Sequence, residues 1–380
     1  MPKTTTWVQP PHTGAKHAIV REYLVRWFPI MASVDRKLIY FDGFAGPGRY
    51  ASGEDGSPIV ALKALLEHAR RDHILATTEV VFVFVEADAD RHQSLVEELE
   101  ALKVGIGGAW PANMQVLPMH ASFVDHATTI VKQLKASGVQ MAPTFALIDP
   151  FGFSGVPMDV IAELLQFRKC ELLFNLIFDP VNWHLHNDTV GHHMRDLFGC
   201  DDYQDLKGLS GEPRREAILD LYVRQLKAKV GFKYVRPFEM WNDRNRLGTV
   251  LVPGTRHPTG FLKMKEAMWA VDPTGRFTFS DIEAMEAASG VQSLFGEEEV
   301  GGPSFVELDR EIRFRFSERT VKVEDVEKFV IEETRYLPTH YKRNVLVPLE
   351  RDRRLVVDEG TRNKQRTYPK GTTMTFPVFG

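Results

Sequence analysis

Cysteine is scarce in this sequence: Cys170 and Cys200 are the two present in 380 residues, and neither belongs to a Cys-x-x-Cys pair. That excludes a disulfide framework, and it excludes a cysteine-ligated zinc or iron–sulfur site built by this chain alone. Any iron–sulfur chemistry must come from a partner. Long apolar runs are lacking too: none reaches the roughly 18 residues that a membrane helix needs. The opening Met1-Pro2-Lys3-Thr4 has no apolar stretch of the secretory kind. We therefore expect a soluble, cytoplasmic protein with no membrane partner. An excess of one charge is missing as well. A net charge of -4 gives no global attraction to nucleic acid, so any such affinity has to come from a local basic patch.

What is present is enough apolar material, 43% hydrophobic and 11% aromatic, to bury one large core or two moderate ones. Ile19, Tyr23, Trp27 and Ile30 recur at spacings of three and four, which predicts a helix over 16–32 covering a sheet. Short apolar runs at 38–41, 80–85, 114–117, 145–148 and 172–177 suit strands buried on both faces. Helical patterns at 59–70, 88–102, 126–136 and 158–167 alternate with them. Repeated β-α units imply a parallel sheet with right-handed crossovers, so the fold class expected is α/β, a Rossmann-type doubly wound sheet. A His-rich helical insert follows at about 180–230, and strand candidates 233–241 and 248–252 then read as an antiparallel hairpin closing the sheet edge. From about 274 the composition shifts. Residues 296–302 read as a linker, helix candidates occupy 306–316, 323–333 and 339–350, and strand candidates 354–357 and 372–376 flank a basic run, Arg362 to Arg366. Three helices and a basic hairpin predict a winged-helix-like domain. The expected organisation is an N-terminal segment and covering helix (1–35), a Rossmann domain (36–273) and the winged-helix-like domain (274–380).

The chemistry concentrates at strand ends. Asp42-Gly43-Phe44-Ala45-Gly46-Pro47-Gly48 follows the first strand directly. Glycines there let the backbone turn sharply and approach a ligand, and the next helix start offers unpaired N–H groups. Asp42, Phe44, Ala45, Gly46 and Gly48 are therefore candidate cofactor contacts, against the alternative of an ordinary turn. The loop lacks the Gly-Lys-Ser/Thr ending of a nucleoside-triphosphate cradle. Glu86 ends the second strand, followed by Ala87, where a carboxylate can accept from both ribose hydroxyls of an adenosine-containing cofactor; Asp88 is the alternative. Ser122, near the end of the third strand, is a candidate for adenine contacts. Asp149-Pro150-Phe151-Gly152 ends the fourth strand, beside the first at the switch point. Asp149 and the Pro150 carbonyl can orient the hydrogens of an exocyclic amine while Phe151 stacks on its base. Transfer to such an amine needs mainly in-line positioning rather than a strong general base. The competing reading is a strand-ending Asp-Pro turn.

Lys16-His17, Tyr40 to Tyr50, Gly56-Ser57-Pro58, Ile148 to Gly152 and His257-Pro258 through Met264-Lys265 to Met268-Trp269 together resemble the three-Cys-motif partner family (TcmP) over nearly the whole chain. The resemblance implies a fold similar to S-adenosylmethionine (SAM) dependent methyltransferases. It also implies association with a radical-SAM-like protein bearing three cysteines. Asp42-x-Phe44-x-Gly46-x-Gly48 resembles the loop of amino-methyltransferases acting on adenine or cytosine, whose second motif is usually Asp/Asn-Pro-Pro-aromatic. This sequence departs at Phe151. Asp-Pro-Phe-Gly is closer to the form in tRNA guanine-N2 dimethyltransferases, which leaves the acceptor base open. The expectation is a SAM-dependent methyltransferase of an amino group on a nucleic-acid base or nucleoside, the alternative a methyltransferase-like protein that docks nucleic acid or a partner without catalysis.

Other residues invite weaker readings. His184, His186, His192 and His193, beside Asp179 and Asp188, use metal-ligand vocabulary, but the spacing does not set two ligands on one helical face, so no metal is expected. Arg256-His257-Pro258 reads either as a phosphate contact or as a surface turn. Met264, Met268 and Trp269 read as core. Near the C-terminus, Lys342, Arg343, Arg362, Lys364 and Arg366 are candidate contacts to DNA or RNA phosphates, with Tyr336, His340 and Tyr341 either reaching bases or packing. Protein contact or dimerisation is the alternative use of such a domain.

Overall fold

The computed structural model describes residues 5–272, 278–282, 284–285 and 304–379. The chain divides into two compact units, Met1–Lys263 with Thr278–Gln292, and Met264–Phe277 with Ser293–Gly380. The boundary expected at 274 and the linker expected at 296–302 lie outside the described residues.

The first unit is built on a single sheet. Its parallel strands are β1 (Lys37–Asp42), β2 (Glu79–Glu86), β3 (Met114–His120), β4 (Thr144–Ile148) and β5 (Cys170–Ile177). Antiparallel β8 (Leu247–Thr255) pairs with β5, short β6 (Tyr234–Val235) and β7 (Phe238–Trp241) pair with β8, and β9 (Thr278–Ser280) joins β7. The order is β3-β2-β1-β4-β5-β8-β7-β9, with the sequence reversing direction between β1 and β4. Strands β1, β2, β4 and β5 are mostly apolar and buried because helices cover both faces: α1 (Pro11–Ala32), α2 (Ser57–Leu66), α3 (Arg71–Thr77), α4 (Ala89–Gly105), α5 (Phe123–Ser137) and α6 (Met158–Leu165). Pro118 interrupts β3, which sits at the sheet edge, where a missing N–H costs no ladder bond.

Three local differences from the sequence reading have clear causes. The first helix starts at Pro11, whose absent N–H suits a helix's first position, rather than at 16. The run expected as one strand over 233–241 is broken into β6 and β7, and Pro237, which has no N–H to give, stands in the break. Strand β9 was unexpected because three residues carry no readable periodicity. The insert after β5 contains α7 (Phe178–His184), α8 (Gly191–Phe198) and α9 (Gly211–Gln225), whose Val181, Met194, Leu197, Phe198, Leu221 and Tyr222 join the core. Helix α10 (Pro258–Val271) then begins in this unit.

In the second unit, helices Val306–Phe316 and Val323–Glu333 bracket β10 (Thr320–Lys322), and a helical stretch over 338–351 contains one π turn, Lys342–Leu346. An antiparallel three-stranded sheet has the order β10-β12-β11, with β11 at Val356–Val357 and β12 at Thr373–Thr375. Met264, Met268 and Trp269 are core here, as are Tyr336 and Tyr341. Lys265 is buried and donates to the carbonyls of Val330 and Thr334 at 2.9 and 2.8 Å and of Ile331 at 3.2 Å. It satisfies the carbonyls that the end of helix Val323–Glu333 leaves unpaired.

Candidate functional site

Strands β1 and β4 run side by side with Asp42 level with Leu147, so the loops leaving their carboxyl ends meet in the switch-point crevice. The loop after β1 is pinned to both neighbours: Gly43 N–H donates to Leu147 O and Ala45 N–H to Val85 O, each at 2.9 Å. Gly48 takes φ +85°, a conformation that side chains rarely adopt. At the foot of α2 the Gly56 N–H donates to Gly48 O at 2.8 Å, and a Cβ on Gly56 would stand 2.8 Å from that same oxygen. Glycine is required there so that the loop can close on itself.

Both motifs line one open cleft of about 190 Å³. Gly46, Gly48, Tyr50 and Ser57 form one side and Asp149, Pro150 and Phe151 the other, with Lys16 of α1 and Asn175 and Ile177 of β5 between them. Asp149 accepts from the Lys16 ammonium through Oδ2 and from Asn175 Nδ2 at 2.7 Å through Oδ1. Burial alone would raise its pKa, but the ammonium and the amide outweigh it and hold the carboxyl below the ordinary carboxylate range. The neighbouring His17 is pushed down to about 3 by burial and by Lys16, and its Nδ1 faces Gln9 Nε2 at 3.1 Å. The cleft is thus lined by an ionised acid paired with the Lys16 side chain, and the His17 imidazole next to Lys16 in the chain is held neutral by burial outside the lining.

Asp42 lies beneath the loop with no exposed surface; its Oδ1 accepts the Phe44 N–H at 3.1 Å. Burial lifts its pKa to about 7, offset in part by the Ser57 hydroxyl and the Phe44 N–H. The hydroxyl is near enough to favour the charged form, yet Oδ2 keeps no partner at hydrogen-bonding distance among the described residues.

Glu86, expected at the ribose, is engaged within the protein. Its carboxylate is 4% exposed, with Oε2 accepting from Gly46 N–H at 3.0 Å and Oε1 from Asp88 N–H at 2.8 Å and Arg91 Nε at 3.2 Å. It braces the glycine loop, and these three donors leave acceptor capacity on a carboxylate, which offers about four sites. The alternative, Asp88, caps α4 by accepting Arg91 N–H at 3.0 Å. Ala87 is exposed with its carbonyl 3.2 Å from His120 Nε2, and Ser122 caps α5 by accepting Asp125 N–H at 3.1 Å; neither lines the cleft. Phe151 is clasped by the Arg91 guanidinium, 4.9 Å from its ring, and the edge of Trp7 at 5.3 Å.

Sequence reasoning missed Lys16, Asn175, Arg91 and Trp7 as site residues. Two of them carried a signal: Lys16 continues the apolar stripe of Ile19 and Tyr23, and Asn175 interrupts the apolar run Leu172 to Ile177. Arg91 sits among polar helix residues and carried none.

Other candidates fall elsewhere. Arg256 is no phosphate contact: it donates to the carbonyls of Leu165, Phe167, Cys170 and Val230 and stacks on Phe232. The reason is topological, because antiparallel β8 ends level with the start of β5, away from the cleft. Among the histidines, the rings of His192 and His193 meet at 3.9 Å, tilted by 43°, and His184 and His193 pack on Phe153. No cluster able to hold a metal occurs among the described residues. In the second unit, Arg343, Lys364 and Arg366 are exposed, and Lys342 lies 3.9 Å from Glu327. Arg362 is withdrawn from the basic set: its guanidinium is buried, forking to Glu350 at 2.7 and 2.8 Å and also held by Glu359. Tyr336 and Tyr341 pack rather than reach outward. His340 is lowered to about 4 by burial and Lys265, its ring 4.4 Å from that of Trp269.

The strand order, with its reversal at β1/β4 and its antiparallel closing hairpin, defines a Rossmann-type, methyltransferase-like α/β fold. No family model matches the sequence, and no curated protein matches it. Similar solved structures include protein LPL1258 from Legionella pneumophila, described under the family-model DUF519. It is 12% identical with a TM-score of 0.39 over 67% of this chain and 89% of that one. Human methyltransferase-like protein 13 in complex with SAH (S-adenosylhomocysteine) is 14% identical, with a TM-score of 0.33 over 68% and 91%. Likeness at this level carries no argument about chemistry; the strand order and the cleft carry it.

Proposed function

We propose that this chain is a SAM-dependent methyltransferase acting on an amino group of a nucleic-acid base or nucleoside. The observation that carries the reading is the shared cleft: a glycine loop and Asp149-Pro150-Phe151 face one cavity at the switch point, with Asp149 held ionised by Lys16 and Asn175. The residues fit a cationic cofactor by charge: the carboxylate of Asp149 lines the cleft, and that of Asp42, whose Oδ2 has no hydrogen-bond partner among the described residues, lies buried beneath the loop. Held by the Asp42 to Gly48 loop, SAM would supply an electrophilic methyl group for the acceptor nitrogen and would be left as SAH. The chain's part is positioning. Asp149 and the Pro150 carbonyl accept the amine hydrogens, fixing the nitrogen lone pair toward the methyl, and Phe151 offers a ring face to the base. The nitrogen's surplus proton leaves to Asp149 or to water.

The wider reading places the chain with the three-Cys-motif partner family, with a radical-SAM-like partner supplying any iron–sulfur chemistry. The second unit is a winged-helix-like module meeting DNA or RNA phosphates through Lys342, Arg343, Lys364 and Arg366. One observation favours the non-catalytic alternative: Glu86 is already engaged by the glycine loop and Arg91, so a ribose has to share its carboxylate with those donors.

Calorimetric titration with SAH tests the cofactor half. Saturable binding is expected, lost in Asp42→Ala/Glu86→Ala, while Asp149→Ala keeps SAH binding and loses methyl transfer to a nucleic-acid pool. An intact protein that binds neither SAH nor SAM overturns the proposal in favour of the docking reading.

A further inference from the structure

A second cavity opens at the same strand ends. Ile177 and Thr249, which pair across β5 and β8, line the first cleft, whereas Phe178, one position after Ile177, and Leu247, two positions before Thr249, line the second. Two residues of strand cover about 7 Å, so the cavities are near neighbours. In the second, Trp183 is 62% exposed, and its indole makes no ring contact or hydrogen bond among the described residues. Trp241 forms a braced wall: Arg215 lies 5.7 Å over its ring and Glu239 accepts its Nε1–H at 3.1 Å, while Arg215 is itself tied to Glu212 and Glu239. Arg246 is exposed at the end of the β7–β8 turn, which Asn242 fixes by accepting the N–H groups of Arg244 and Arg246 at 3.0 and 3.1 Å.

We infer that this cavity is a second nucleobase subsite, holding the base that flanks the acceptor in a single-stranded nucleic acid. The inference rests on reading the acceptor as a base within a strand. An open indole face at a charged, amide-lined rim suits a flat, polar-edged ring: the base stacks on Trp183, its edge meets Asp179 and Asn182, and Arg246 meets the adjoining phosphate. An apolar peptide segment fits less well, because it would cover Asp179, Asn182 and Asn245 without pairing them. A single strand is required because a base inside a duplex presents no free face.

The test uses the full chain with short single strands of DNA and RNA carrying 5-iodouridine, cross-linked by light and mapped by peptide mass spectrometry. Adducts on Trp183 or within 241–247 are expected. In Trp183→Ala, strand affinity should weaken by roughly five- to a hundredfold, the range for removing one base–aromatic stack. SAH titration should be unchanged in that variant. Adducts confined to other parts of the chain overturn the subsite alone and leave the proposed acceptor class standing. Absence of any strand binding, with SAH still bound, overturns both the subsite and the nucleic-acid half of the proposed function, while sparing the cofactor half.

Discussion

Asp42 carries an unusual cost for a residue at the centre of a site. Its folded pKa of about 7 lies above the ordinary 3.8, so between those values the folded protein binds more protons than the unfolded one. Its contribution to stability is therefore full below about 4 and lost as pH rises through 7, opposite to the usual aspartate. Asp42→Asn should raise the melting temperature at pH 8 and raise it less at pH 5, where only part of the penalty has accrued, with a difference between the two on the order of a few kcal/mol. Thermal melts at the two pH values check this; equal shifts at both would refute it. A cationic ligand favours the charged form, so SAM affinity should rise as pH increases through 7. The Lys16–Asp149 pair behaves differently. Lys16→Met leaves a mostly buried carboxylate short of its cation, which should destabilise by about 3 kcal/mol. Adding Asp149→Asn should recover part of that loss, as read in denaturant melts.

At the scale of elements, the glycine loop is a closed device. Gly56→Ala forces a Cβ against Gly48 O and should break the bond that closes the loop at the foot of α2. We expect destabilisation of about 1–3 kcal/mol together with loss of SAH binding. A variant as stable as the parent that still binds SAH would show the closure to be dispensable. In the second unit, Lys265→Met removes a donor from the carbonyls of Ile331 and Thr334 and leaves Val330 to the Thr334 hydroxyl, and hydrogen exchange should report earlier opening of helix Val323–Glu333.

For the molecule as a whole, the charge distribution matters more than its sum. Arg343, Lys364 and Arg366 are exposed, whereas Arg362 is locked to Glu350 and Glu359. Replacing the three exposed residues by alanine should lower nucleic-acid affinity and reduce the salt slope by roughly 0.7–0.9 for each phosphate no longer neutralised, without changing the melt. Arg362→Ala should do the reverse, lowering stability while leaving the slope unchanged. A slope that moves with Arg362 and not with the others would contradict this division.

The sequence by itself determined the alternation of buried strands and covering helices, and with it the doubly wound sheet. Apolar runs and 3.6-residue spacing are local records of which faces are buried. It also determined the placing of Asp42 to Gly48 and Asp149 to Gly152 at strand ends, because glycine and Asp-Pro mark where a buried strand must turn. What it did not carry was pairing between residues far apart. That Glu86 turns to Gly46 and Arg91, that Lys16 reaches Asp149 across 133 positions, that Arg256 ties loops at the far end of the sheet and that Arg362 is held by two glutamates all depend on which strand lies beside which and in what direction. A charged residue's partner is chosen by distance in space, and only the tertiary structure sets that distance.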